Sequence, residues 1–209
     1  PMSRDTTRWL YLARHAEPAE EGSQLTTNGT RQAELLGRRL AHLHLDCIFH
    51  GPLPRAFETA RIVASQSDHK PSLVELAAAG DYVPSLPASH EVPIAWTETV
   101  TSFLGGVSKE EASAGAALGA EAIDRFAGPA TEGRGPLEIV VTHAFTIGWL
   151  VAHALGAPGW RWFPPSHCHA ALTVIRYTPD APPSVLVAND MTHLPAALQW
   201  TGVPDFLRL

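Results

Sequence analysis

Apolar residues fall into two rhythms along the chain. Short, nearly unbroken runs such as WLYLA at 9–13, LDCIF at 45–49 and PLEIVVT at 136–142 have the length of strands covered on both faces. Between them, apolar residues recur every three or four positions. In TTNGTRQAELLGRRLAHL, residues 26–43, Ala33, Leu36, Leu40 and Leu43 share one helical face, and Thr26 or Thr27 is placed to cap its start. PRAFETARIVASQ, residues 54–66, opens with Pro54 at the first helical position and carries the stripe Ala56, Ala60, Val63. FTIGWLVAHALG, 145–156, is a further helix closed by Gly156. The runs AALTVIRYT at 170–178 and PSVLVAN at 183–189 are joined too closely for a crossover helix, so they are expected to pair antiparallel.

Strands alternating with helices predict an α/β fold: a three-layer α/β/α sandwich with a mixed, mostly parallel sheet, built as one domain over residues 1–209. Residues 71–92, rich in Pro, Ala and Ser, read as an irregular excursion. Residues 93–128 read as helical with a break at Gly105-Gly106. Together, 71–128 is expected to form a lid or insertion. The GWRWF cluster at 159–163 reads as core or lid packing.

Composition narrows the classes. The 209 residues are 45% hydrophobic and 17% charged, enough apolar material for a substantial core. A net charge of -6 without any Lys/Arg block leaves no electrostatic footprint for nucleic acid or an anionic membrane. An anionic substrate must therefore be captured by a few local arginines. Cys47 and Cys168 make no disulfide framework and read as buried free thiols, which fits a cytoplasmic, reducing setting. The opening PMSRDTTRW lacks the apolar stretch of a signal peptide, no run reaches membrane-span length, and Pro1 before Met2 reads as a remnant of expression. The oligomeric state stays open, a homodimer included.

In three places a strand ends and a basic residue opens the next segment: Arg14-His15, Arg55 and His143. In a parallel sheet the strand C-termini share one edge, where ligands bind and helix N-termini add unpaired N–H groups. Two arginines and two histidines converging there suit a tetrahedral dianion, because guanidinium forks bind paired oxygens.

The same residues carry a family resemblance. LARHAEP resembles the R-H-G signature of the histidine phosphatase superfamily, which includes the cofactor-dependent phosphoglycerate mutases. LTTNGTRQAELLG, GPLPRAFETA, VVTHAFTIGWL and NDMTHL resemble its later segments, in the expected order from about residue 9 to 194. The resemblance implies a phosphoglycerate mutase-like fold and a metal-independent phosphomonoesterase of the histidine acid phosphatase type, acting on a small phosphorylated substrate without a cofactor. His15 would be the nucleophile that forms a phosphohistidine, Arg14 and Arg55 would bind phosphate oxygens, and His143 would add a donor. The acid is expected at Glu75, in the L-x-E context of SLVEL; AAAGDYVPS replaces the usual continuation, so Asp81 and Glu91 stay as alternatives. His193 and Glu17 are expected to support the site from behind. His167 and His169 in SHCHA have no further pair at ligand spacing, so a metal is not expected.

Departures from the family pattern bear on the activity. Ala16 and Ala144 replace glycines and are expected to narrow the phosphate pocket, and His50-Gly51 stands where hydroxyl residues are usual. RHAEPAEEGSQLT lacks the Trp and Asn of the mutases, which favours hydrolysis. The alternatives are a phosphoglycerate mutase-type phosphotransferase and a catalytically weak relative that binds phosphorylated ligands.

Overall fold

In the computed structural model, which describes residues 6–20, 24–88, 90–130, 137–205 and 208, the unbroken apolar runs are strands and the three-to-four rhythm is helix. The order is β1 (Arg8–Arg14), α1 (Thr27–Leu40), β2 (Cys47–His50), α2 (Pro54–Ser65), β3 (Ser72–Glu75), α3 (Thr97–Leu104), α4 (Lys109–Phe126), β4 (Glu138–Thr142), α5 (Ala144–Ala154), β5 (Leu172–Thr178) and β6 (Ala181–Asp190). Residues 1–5, on which the readings of a leader and an expression remnant rest, lie outside the described residues, as does Pro136. Among the described residues no helix is long and apolar enough to cross a membrane.

The sheet runs β3-β2-β4-β1-β5-β6. β3, β2, β4 and β1 are parallel, whereas β5 pairs antiparallel with β1 and β6 antiparallel with β5. Because side chains alternate along a strand, each central strand feeds two cores. Ala13, Ile48, Ile139 and Val141 pack with Ala33, Leu36 and Leu40 of α1 and Ala56, Ala60 and Val63 of α2. Leu10, Leu12, Phe49, Val140 and Ile175 pack on the other side with Ala122 and Phe126 of α4 and Ile147 and Leu150 of α5. The three-layer sandwich results from that alternation.

Local signals place the helix ends. Thr26 caps α1, its hydroxyl accepting from Gly29 N–H at 2.9 Å. Beyond α5 the chain turns at Gly156, whose φ of +60° suits a residue without Cβ.

The excursion at 71–128 differs from its expected form. Residues 72–75 pair parallel with β2 as an edge strand, and their mostly exposed side chains explain why no apolar run announces them. A 3-10 turn comes next, at Ala77–Ala79. α3 and α4 flank the break at Gly105-Gly106, but α4 belongs to the outer layer of the sandwich, burying Ala122 and Phe126. In GWRWF, Trp160 and Trp162 are buried, as packing residues should be.

Ile139, at the centre of the sheet, is fully buried between β1 and β2. Ile139→Ala is expected to lower the unfolding free energy by about 2–5 kcal/mol, read as a drop in urea midpoint with an unchanged denaturant slope.

Candidate active site

Four parallel strands end at one edge, and each sends a polar side chain there. β1 delivers Arg14 and His15, with the His15 N–H donating to the Thr142 carbonyl of β4 at 2.9 Å. β2 leads through Pro52 to Arg55 in the first turn of α2, and β4 leads to His143, the residue that precedes and caps α5. β3 leads through the 3-10 turn to Asp81. Two hydroxyls hold that approach: Thr142 Oγ1 donates to the Ala79 carbonyl and Thr146 Oγ1 to the Gly80 carbonyl, each at 2.7 Å. Gly51 lets the backbone pass, since a Cβ there would lie 2.5 Å from the Ala79 oxygen.

His15 is 3% exposed. Its Nδ1 lies 2.8 Å from the Ala16 carbonyl, which can only accept, so Nδ1 carries the proton and Nε2 keeps a lone pair. Arg55 Nε donates to that Nε2 at 3.3 Å. Burial, then Arg14 and His143, holds the imidazole well below its ordinary pKa, so it is neutral at any physiological pH. His143, 1% exposed, has its ring centre 4.9 Å from that of His15 and its Nδ1 3.5 Å from Asp81 Oδ2. Neither of its ring nitrogens has a hydrogen-bond partner, which marks a buried group aimed at a ligand. Burial and the two arginines push it down to about 3.

Arg14 is held from behind. Its Nη1 donates to the carbonyls of His167 at 2.8 Å and Gly202 at 2.6 Å. Burial lowers it to about 10, so it remains a cation. Gly202 has φ +78°, and a Cβ there would meet Arg14 Nη1 at 2.7 Å and His169 Cε1 and Nε2 at 2.5 Å. Arg55 Nη2 pairs with Asp81 Oδ2 at 2.8 Å.

The structure thus brings Arg14, His15, Arg55 and His143 together. It does not bring Glu75 to them. Glu75 ends the edge strand, exposed beside His50, and its carboxylate makes no hydrogen bond or ion pair among the described residues. The carboxylate that meets both Arg55 and His143 is Asp81, six positions on, because the 3-10 turn carries the chain inward after β3 ends. Glu91 accepts from Ala88 N–H in an exposed turn. Glu17 accepts from the Thr26 hydroxyl at 2.7 Å, fastening the loop after His15 to the cap of α1. His193 Nε2 lies 3.1 Å from the Ala170 carbonyl, behind the segment whose Ala170 N–H donates to the Arg14 carbonyl.

The expectation about Ala16 changes, and the histidines of SHCHA take other places than a metal site. Ala16 is fully buried in the core and does not line the pocket, and its N–H is taken by Thr59 Oγ1 at 3.0 Å. Ala144 is nearly buried at the start of α5. His167 and His169 lie in an irregular segment, not a strand. His167 serves Arg14 through its carbonyl, while the His169 ring stands 5.2 Å from that of His15. Sequence reasoning weighed His169 only as a metal ligand; its signal was proximity in sequence to the strand that pairs with β1. Among the described residues no group of three or more His, Cys, Asp or Glu could hold a metal ion, and both cysteines are free thiols.

The family model of the histidine phosphatase superfamily (branch 1) matches residues 10–190 of this chain. The serine/threonine-protein phosphatase Pgam5, mitochondrial, of Drosophila erecta is 29% identical, with 94% of this chain and 68% of that protein covered. The alpha-ribazole phosphatase of Shigella flexneri has a similar fold, with a TM-score of 0.63 at 17% identity over 88% of this chain and 96% of that one. Phosphoglycerate mutase from Bacillus anthracis gives 0.62 at 18% identity, over 91% and 96%. A phosphatase and a mutase score alike, so the fold by itself does not separate hydrolysis from transfer to a second acceptor.

The buried imidazoles tie stability to pH. His143 near 3, His167 near 4 and His169 near 2 all lie below the ordinary 6.5, so between these values the unfolded chain binds protons that the folded one refuses. Their contribution is complete above pH 6.5 and shrinks as pH falls. For His143 alone the loss is on the order of 2 kcal/mol by pH 5. Urea unfolding across pH 7.5 to 5 is expected to show it, with a shallower fall in His143→Asn; equal slopes in the two proteins would mean that the ring is not buried and neutral.

Proposed function

The chain belongs to branch 1 of the histidine phosphatase superfamily, and from that premise we propose that it is a phosphomonoesterase that works through a phosphohistidine on His15 without a metal. The observation that carries this reading is the unprotonated Nε2 of a neutral, buried His15, touched by Arg55 Nε and set among Arg14, Arg55 and His143. The nitrogen attacks phosphorus in line, and the P–N bond forms as the bond to the leaving oxygen breaks. Arg14 and Arg55 hold the equatorial oxygens and His143 donates to one, which is electrostatic stabilisation by groups already in place. Asp81 gives its proton to the leaving oxygen, then takes one from the water that cleaves the P–N bond. Phosphate leaves and His15 regains its lone pair.

A local cluster of cations in a net acidic chain supports a small phosphorylated molecule as the substrate. The name of the fly relative adds phosphoproteins as a class to test. Free thiols at Cys47 and Cys168 support placing the enzyme in a reducing compartment. Transfer to a second phosphate acceptor remains the second reading, favoured by the fold shared with a phosphoglycerate mutase.

Steady release of phosphate from p-nitrophenyl phosphate, with no bisphosphate added, is the expected behaviour. His15→Ala is expected to abolish it, and turnover surviving that change overturns the mechanism. Asp81→Asn should slow turnover of an alkyl phosphate by roughly 10²–10⁴-fold, whereas Glu75→Gln should leave it unchanged. The reverse pattern would return the acid to Glu75.

A further inference from the structure

His15 has two imidazole neighbours. His143 lies on the Asp81 side, with its ring centre 4.9 Å away, and His169 lies on the Arg14 side at 5.2 Å. His169 is 7% exposed, and the proposed phosphohistidine chemistry does not use it. Its surroundings nevertheless favour one place for the ring proton.

The chain of hydrogen bonds begins at Gln32, which is fully buried in α1. Its Oε1 accepts from the Glu17 N–H at 2.9 Å, so the other amide atom is the nitrogen. That Nε2 donates to the Leu198 carbonyl and to Thr201 Oγ1, each at 2.9 Å. The Thr201 oxygen is therefore an acceptor toward Gln32 and has one hydrogen of its own to give. His169 Nδ1 lies 3.2 Å away and is the acceptor within reach. The Nδ1 lone pair receives that hydrogen, and the ring proton then sits on Nε2. Burial keeps the ring neutral, far below its ordinary pKa.

The two neighbours thus hold opposite tautomers. His15 has its proton on Nδ1 and presents a bare Nε2, while His169 presents an Nε2–H. That Nε2 and Arg14 Nη1 flank the same point above Gly202, whose missing Cβ leaves both of them room. Resting on the phosphohistidine reading, we propose that His169 contacts the substrate phosphoryl group, donating Nε2–H to an oxygen on the Arg14 side of His15. The Gln32–Thr201 relay is the positioning device that keeps the donor turned toward the phosphate.

Long-range proton–nitrogen NMR of the histidine side chains tests the tautomers in the wild-type protein. Protonated Nδ1 at His15 and protonated Nε2 at His169 are expected, and the same tautomer at both sites overturns the inference. Titration with orthovanadate should move the His169 Nε2 signal together with those of His15 and His143. Vanadate that shifts His15 and His143 and leaves His169 unmoved overturns it too, while the hydrolase reading survives. Vanadate that shifts all three in a protein that turns over no phosphoester leaves the contact standing and the hydrolase reading fallen.

In kinetics, His169→Asn is expected to lower kcat/KM and weaken vanadate binding by about 10- to 100-fold, as for loss of one hydrogen bond to an anion. Thr201→Val, which removes the lock and no phosphate contact, should show a smaller loss that vanishes in the His169→Asn background. Full additivity of the two changes, with both proteins folded by thermal melting, would overturn the relay.

Discussion

Two guanidinium groups and three imidazoles crowd one edge of the sheet, and among the described residues the carboxylate that faces them is Asp81. Keeping two guanidinium cations partly buried beside neutral imidazoles is the constraint that shapes the neighbouring chain. Arg14 spreads its charge onto two backbone carbonyls, which costs less than an unpaired ion and satisfies it without a carboxylate that would compete with a substrate. Those carbonyls must be brought to it. Ala170 takes a left-handed φ of +53° and Gly202 one of +78°, and the 168–203 cluster of Cys168, Met191, Leu194, Leu198 and Val203 packs them in place. His193 and Asn189 then bind the same segment, at the Ala170 carbonyl and the Cys168 N–H.

The histidines adapt to the arginines by giving up charge. A neutral ring has one donor and one acceptor, so its backbone or hydroxyl partner decides what it offers the substrate. The Ala16 carbonyl accepts from the Nδ1–H of His15 and so leaves the lone pair on Nε2, the atom that attacks in the proposed mechanism. Residues that look like scaffold therefore set chemistry: Thr59 takes the Ala16 N–H, and Gln32 links the loop after His15 to the C-terminal segment.

The fold was legible because its signals are local or periodic. The parallel strands were visible as apolar runs, α1 as a stripe with a cap, and the strand-to-basic-residue junctions as Arg14, Arg55 and His143. β3 was not visible, since an edge strand with exposed side chains buries too little to leave a pattern. Asp81 was ranked below Glu75 because its position depends on a 3-10 turn and on two threonine hydroxyls from β4 and α5, contacts that span more than sixty residues. Ala16 misled for a related reason. A residue beside the nucleophile in sequence points into the core, because its backbone bonds turn the methyl away.

Charge balance accounts for the place of Asp81 under the proposed mechanism. Without substrate, the carboxylate shares Arg55 at 2.8 Å. A phosphoryl dianion competes for the same guanidinium and brings two negative charges against the two cations, so an ionised Asp81 would be left in excess. Like charges brought to one guanidinium repel, so the dianion and the Asp81 carboxylate compete for Arg55. The net charge of -6 works against this little, because its field is screened within about 10 Å of solvent while the two arginines act at contact. Under that mechanism selectivity for a dianion rests on the local count of charges around Arg55, which Asp81 meets and Glu75 does not.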